Sequence, residues 1–148
     1  MSYTHLIVLL NLTLSAVLTG LIWTIQVVHY PGFLGVGTEG FLSYQHNHMR
    51  TISYVVIPLM LAELVVAFLL PFFYTHRVFW VTYLATGLVV AIWLSTLFIS
   101  SPLHSKLASE GYDALTINRL VTTNWIRTVA WSARTGILFY IVSDMMKS

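Results

Sequence analysis

Residues 52–73 read ISYVVIPLMLAELVVAFLLPFF. A helix through this run is roughly 33 Å long, enough to cross about 30 Å of bilayer hydrocarbon. One carboxylate interrupts it, Glu63. An ionisable side chain at that depth is costly and needs a partner or a job. The run therefore predicts a membrane-spanning chain whose helices meet around polar groups.

Composition agrees. The chain has 148 residues, 57% of them hydrophobic and 8% charged, where soluble domains carry about 25% charged residues. The length leaves no room for a second domain of any size, so residues 1–148 are read as a single integral membrane domain. Seven basic and five acidic groups form no cluster, so no nucleic acid partner is expected. The absence of cysteine excludes disulfides, iron–sulfur clusters, thiolate metal sites and a cysteine nucleophile. The first apolar stretch has neither a basic leader nor a small-x-small cleavage site, and is expected to be a retained helix.

Four membrane-length segments are predicted. The first runs from about His5 to Tyr30 and stops at Pro31. The second ends at Phe73, with a helix start near Thr38 or Glu39, after the Gly35-Val36-Gly37 breaker. The third runs from about Val78 to Ser101 and is ended by Pro102. The fourth is apolar from about Leu120 to Met145, with a start near Gly111 to Asp113. The expected fold is all-α: an up-down four-helix transmembrane bundle, with the second and fourth helices extended beyond the membrane on one side. No sequence repeat is evident. Arg50, Lys106 and Arg119 lie on the extended side, and Arg77 and Lys147 on the side of the termini. The positive-inside rule then sets the termini outside the cytoplasm, and a bacterial inner membrane is the expected location.

Helical spacing sorts the polar residues into one stripe per helix. Asn11, Ser15, Ile22 and His29 share a face, with Gln26 at its edge. Gln45, His48, Ile52, Val56 and Glu63 form the second stripe. Thr82, Thr86, Trp93 and Ser100 form the third, and Asn124, Arg127, Thr128, Trp131 and Arg134 the fourth. Glu63 lies roughly 22 Å along its helix from His48. A deep layer of Asn11, Glu63 and Arg134 is therefore expected, beneath an upper layer of His29, His48, Asn124 and Arg127. His104, just after Pro102, would fold over the upper layer.

Each group has a bland and a sharp reading. Glu63 with Arg134 reads as a structural ion pair between helices, or as a proton carrier or metal ligand. A single interfacial histidine is ordinary. His29, His48 and His104, from three helix ends on one side, have the chemistry of a metal site with an open position, for Fe, Cu or Zn, or of a haem site. His46 replaces His48 if the second helix is rotated. His5, His46 and His76 otherwise read as interface residues. Trp80 and Trp125 fit an aromatic belt. Trp93 and Trp131 face the interior, as packing or as walls for a flat apolar ligand. Arg127 and Arg134 suit a carboxylate, phenolate or quinone oxygen.

No P-loop, dinucleotide fingerprint, nucleophile elbow or HExxH is present. The di-iron pattern is also missing, since no histidine lies three residues after Glu63.

Two stretches carry a family resemblance. One is Gly20-Leu-Ile-Trp through Val28-His29-Tyr30-Pro31. The other is Pro102-Leu-His104 with Lys106-Leu107-Ala108, then Leu120 through Asn124-Trp125-Ile126-Arg127-Thr128 to Arg134. Together they resemble the anthrone oxygenase-like family of small four-helix membrane proteins. The resemblance implies an oxygenase that converts polyketide anthrones to quinones with no obvious cofactor. It would set His29, His104, Trp125, Arg127 and Arg134 around the site. The chain departs from that pattern at His104, where Asn is more usual, and in the added Gln45-His46-Asn47-His48 cluster. Those departures favour a metal-dependent variant.

The sequence thus leads to a membrane oxidoreductase acting on an apolar aromatic or quinone-like molecule. His29, His48 and His104 would hold a metal or act as acid and base. Asn124 and Arg127 would polarise a substrate oxygen over a floor of Glu63 and Arg134. The other expectation is a non-enzymatic subunit or a haem- or pigment-binding protein. The partners expected are the lipid bilayer, an apolar small molecule, and a second copy or a larger membrane complex.

Overall fold

A computed structural model describes residues 2–75 and 78–147. His76 and Arg77 lie outside them, so the interface role of one and the charge of the other have no structural account. The described residues form four helices and no strand. They are α1 (Tyr3–Gly35), α2 (Phe41–Phe73), α3 (Trp80–Glu110) and α4 (Ala114–Met145).

The first three are long and apolar enough to cross a membrane. The fourth is as long, 32 residues, but falls outside that set. Its hydropathy is lowered by side chains it turns inward, among them Thr116, Asn124, Arg127, Thr128 and Arg134, all buried.

Prolines 31 and 102 do not end their helices as expected. Each follows a π-helical turn, Ile25–His29 in α1 and Thr96–Ser100 in α3. The Tyr30 N–H donates to Ile25 O, and the Ser101 N–H to Thr96 O. A proline inside an α-helix removes one ladder bond and presses on the carbonyl four residues back. The wide turn shifts the ladder by one residue just before the ring arrives, and the helix continues. α3 therefore runs to Glu110, well past the expected stop at Ser101.

The starts of α2 and α4 are each set just after a left-handed glycine. Gly40 has φ 80° and Gly111 φ 90°, a region where a side chain is strained. α2 begins at Phe41, two residues after the expected Glu39. At α4, the Asp113 carboxylate accepts from the Leu115 and Thr116 amides at 3.1 and 3.2 Å, and from the Thr116 hydroxyl. This is a helix N-cap. The hydroxyl bond, more than the amide bonds, holds the Asp113 carboxyl below its ordinary range.

A repeat invisible in the residue string is plain in the backbone. An interval of 71 residues separates the two π turns, Pro31 from Pro102, Gly40 from Gly111, and Glu63 from Arg134. The fold is thus two similar helical hairpins, α1–α2 and α3–α4. Within the first hairpin, Thr4 Oγ1 donates to Phe73 O (3.0 Å), Asn11 Nδ2 to Val66 O (2.8 Å), and the His29 and His48 rings meet at 2.9 Å. Residue numbers rise along α1 as they fall along α2.

Candidate functional site

The interior holds two polar layers. In the deep one, Arg134 Nη1 donates to Glu63 Oε1 at 3.0 Å, and Trp131 Nε1 to Glu63 Oε2 at 2.9 Å. Arg134 Nη2 donates to Asn11 Oδ1 at 2.6 Å, and its Nε to the Ala85 carbonyl at 3.3 Å. Asn11 Nδ2 donates to the Ile7 and Val66 carbonyls. All four side chains are at most 2% exposed, and none of their polar atoms lacks a partner. Four helices are tied at one point by a network in which the charges cancel and the hydrogen bonds close.

The upper layer is a chain of hydrogen bonds. Gln45 Nε2 lies 3.0 Å from His104 Nδ1, and His104 Nε2 lies 2.9 Å from the Tyr30 hydroxyl. Arg127 Nη2 donates to that hydroxyl at 3.2 Å and to Asn124 Oδ1 at 2.5 Å. Asn124 Nδ2 donates to Gln26 Oε1 at 2.8 Å. The donor–acceptor pattern assigns the protons. The Gln45 amide donates, so His104 Nδ1 accepts and its Nε2–H donates to Tyr30. Tyr30 oxygen then accepts from both His104 and Arg127, and its own hydroxyl proton is left for something else.

A cleft of about 310 Å³ opens from this layer between α2 and α3. Its apolar walls include Ile52, Val56, Ile57 and Met60 on α2 and Trp93 and Leu97 on α3; its polar end is formed by Tyr30, His48, Ser100, His104 and Arg127. Both π turns contribute to it, through Ile25 on one side and Thr96, Leu97 and Ser100 on the other. Trp93 Nε1, Ser100 Oγ and Arg127 Nε are buried and make no hydrogen bond. Unsatisfied buried donors are uncommon, and three of them around one cavity mark a place for a ligand.

The three histidines do come together, with ring centroids 4.6 Å apart for His29 and His48 and 5.4 Å for His48 and His104. Their ring nitrogens do not converge as a set of three metal ligands. His29 Nε2 and His48 Nδ1 bond to each other at 2.9 Å, and both nitrogens of His104 are committed to Gln45 and Tyr30. Among the described residues, no group of three or more His, Asp or Glu is arranged to hold a metal ion. His29 and His48 form a hydrogen-bonded pair, and His104 is held between Gln45 and Tyr30. His48 is 6% exposed, whereas His46 and His5 are exposed; α2 thus turns His48 inward. His48 Nε2 carries no hydrogen bond to the described residues.

The remaining expected site residues divide between the layers. Asn124 and Arg127 belong to the upper chain, and Trp93 to the cleft wall. Glu63, Arg134 and Trp131 do not line the cleft. The Trp131 indole is fixed by Glu63, so it closes the floor and is no ligand wall. Tyr30 escaped the sequence reading, because the π turn before it adds a residue. One extra residue rotates everything downstream by about 100°, which a count at 3.6 residues per turn cannot register. Trp125, placed by resemblance, is 43% exposed and packs edge-on against Trp23, away from the site.

Compared with known proteins, the chain matches no family model, no curated protein and no solved structure.

Proposed function

We propose that the protein is an integral membrane oxidoreductase that admits an apolar aromatic or quinone-like molecule into the cleft between α2 and α3. In this reading all four helices cross the bilayer in up-down order, with both termini on one face. The opposed residue pairing of α1 with α2 supports that order. Arg50, Lys106 and Arg119 at the histidine end favour the cytoplasm for it, by the positive-inside rule.

One observation carries the reading: an apolar cleft ends against four side chains able to hold or move a proton, Tyr30, His48, His104 and Arg127. His48 is the base. It takes a proton from the substrate on Nε2 and passes one through Nδ1 to His29, which is only half-buried. Arg127 and Tyr30 stabilise the oxyanion left behind. The anthrone oxygenase-like resemblance supplies the reaction class. A ring-activated CH2 becomes a carbonyl at the expense of dioxygen, with one oxygen atom entering the product. The other leaves as water with the two hydrogens.

The test is oxygen uptake by detergent-purified protein supplied with an anthrone. Uptake matched by quinone formation, and lost in His48→Ala, is the expected result. A protein that binds the anthrone but never consumes oxygen would instead be a binding subunit, the competing reading of the same cleft.

A further inference from the structure

We infer that the ligand of this cleft is an anion, an apolar molecule ending in a single carboxylate or phenolate that Arg127 holds. The inference rests on the cleft reading above and adds the charge of the occupant.

The fourth helix buries two guanidinium groups. Arg134 has Glu63 as counter-ion. Arg127 is 6% exposed and has none among the described residues. The chain has five acidic side chains, and each is accounted for elsewhere. Glu63 pairs with Arg134, Glu110 and Asp113 lie at 3.7 Å from Lys106, and Asp144 accepts from Tyr74. Glu39 is exposed in the turn before α2. A buried cation without a counter-ion is strongly unfavourable, and an anion arriving from outside removes that penalty.

Hydrogen bonding makes the same demand independently. Arg127 uses Nη2 alone, leaving Nε and Nη1 without acceptors. The Tyr30 hydroxyl proton is unclaimed once its oxygen accepts from His104 and Arg127. Ser100 and Trp93 add a hydroxyl and an indole N–H without partners. Every vacancy that lines the cleft can donate, while the unpartnered acceptor Gln45 Oε1 does not line it, and a negatively charged oxygen is the acceptor that several donors satisfy together. Below this end the wall is Ile52, Val56, Ile57 and Met60, and the one hydroxyl among them, on Ser53, is spent on the Met49 carbonyl, so the rest of the molecule is hydrocarbon or fused ring.

The experiment compares anthracene-2-carboxylate with its methyl ester, by fluorescence titration of the purified protein in a neutral detergent. Wild-type protein is expected to bind the acid at least about tenfold more tightly than the ester. Arg127→Gln, which keeps an amide donor for Asn124 and Tyr30, should bring the acid down to the level of the ester. Ile57→Trp fills the cleft without touching Arg127 and should abolish binding of both; it serves as the check if Arg127→Gln fails to fold. Equal binding of acid and ester by wild type overturns the anion and leaves the cleft reading intact. No binding of either probe overturns both. A co-purifying phospholipid seen by native mass spectrometry, displaced by neither probe and absent from Arg127→Gln, assigns the site to a lipid headgroup and also overturns the inference.

Discussion

The two hairpins meet along two seams, and the seams have opposite fates. Between α1 and α4, Thr135 bonds Ser15 and Thr19, both at 2.8 Å, and Thr19 also donates to the Trp131 carbonyl. Gln26 crosses the same seam, donating to Val121 O at 3.0 Å and accepting from Asn124 and Thr128. The positions 71 residues away form the seam between α3 and α2. There Gln26 is matched by Leu97, Thr19 by Val90, Asn124 by Ser53, Thr128 by Ile57 and Thr135 by Leu64. At its deep end, Thr86 still reaches the Ala67 carbonyl at 2.8 Å. Between that contact and the Gln45–His104 bond the seam opens into the cleft. One backbone plan thus gives a locked seam where side chains bond across it and an open cleft where they do not.

The strongest way to break that comparison is to remove the floor both seams share. Arg134→Met leaves Glu63 buried and unpaired and should destabilise the protein by about 3–5 kcal/mol, read as a lowered midpoint of unfolding in mixed detergent. Replacing the pair together, Glu63→Gln with Arg134→Met, should recover much of that loss. No recovery would mean the deep layer matters for more than charge balance.

Next in size is the locked seam itself. Gln26→Leu gives it the residue found at the open one and strands Asn124, at a cost of about 1–3 kcal/mol. A leucine placed in the cleft at the position that matches Asn124, Ser53→Leu, should move stability by less than about 0.5 kcal/mol while sharply weakening ligand binding. Equal stability losses in the two variants would dissolve the distinction between the seams.

The smallest effect lies outside both seams, at the start of α4. The Asp113 carboxyl is held below its ordinary range by the Thr116 hydroxyl. Its contribution to stability is therefore full above the ordinary aspartate pKa, and it is lost as pH falls through the depressed value. Unfolding midpoints in buffer acidified below the ordinary aspartate pKa should fall slightly less in Asp113→Asn, which keeps an uncharged acceptor at the cap, than in the wild type.

Much of this was legible in the residue string. Four polar stripes and their depths are a matter of helical rise, and the structure assembles Asn11 with Glu63 and Arg134, and His29 with His48, Asn124 and Arg127, at two levels. The cleft was legible only in part. Helical spacing sets Trp93 and Ser100 on one inward stripe, but Tyr30 and Leu97 reach the cleft at the π turns. A proline rule that stops helices at residues 31 and 102 hides those turns. Nor could spacing alone tell three histidines converging on an ion from three histidines bonded to their neighbours, since ring nitrogens differ by a rotation that leaves the sequence unchanged. The 71-residue repeat was hidden because it is kept in backbone geometry, while most side chains at matched positions differ.

The most direct test of the account exploits the absence of cysteine from the chain. Ser100 and Ser15 are both buried, at 2% and 0% exposure, but only Ser100 lines the cleft. Ser100→Cys and Ser15→Cys would each be treated with a small, lipid-soluble maleimide and weighed by intact-protein mass spectrometry. The account predicts that Ser100→Cys is labelled, and protected by anthracene-2-carboxylate, while Ser15→Cys stays unlabelled until the protein unfolds. Equal labelling of the two, or labelling of Ser15→Cys alone, would contradict an open seam set against a locked one.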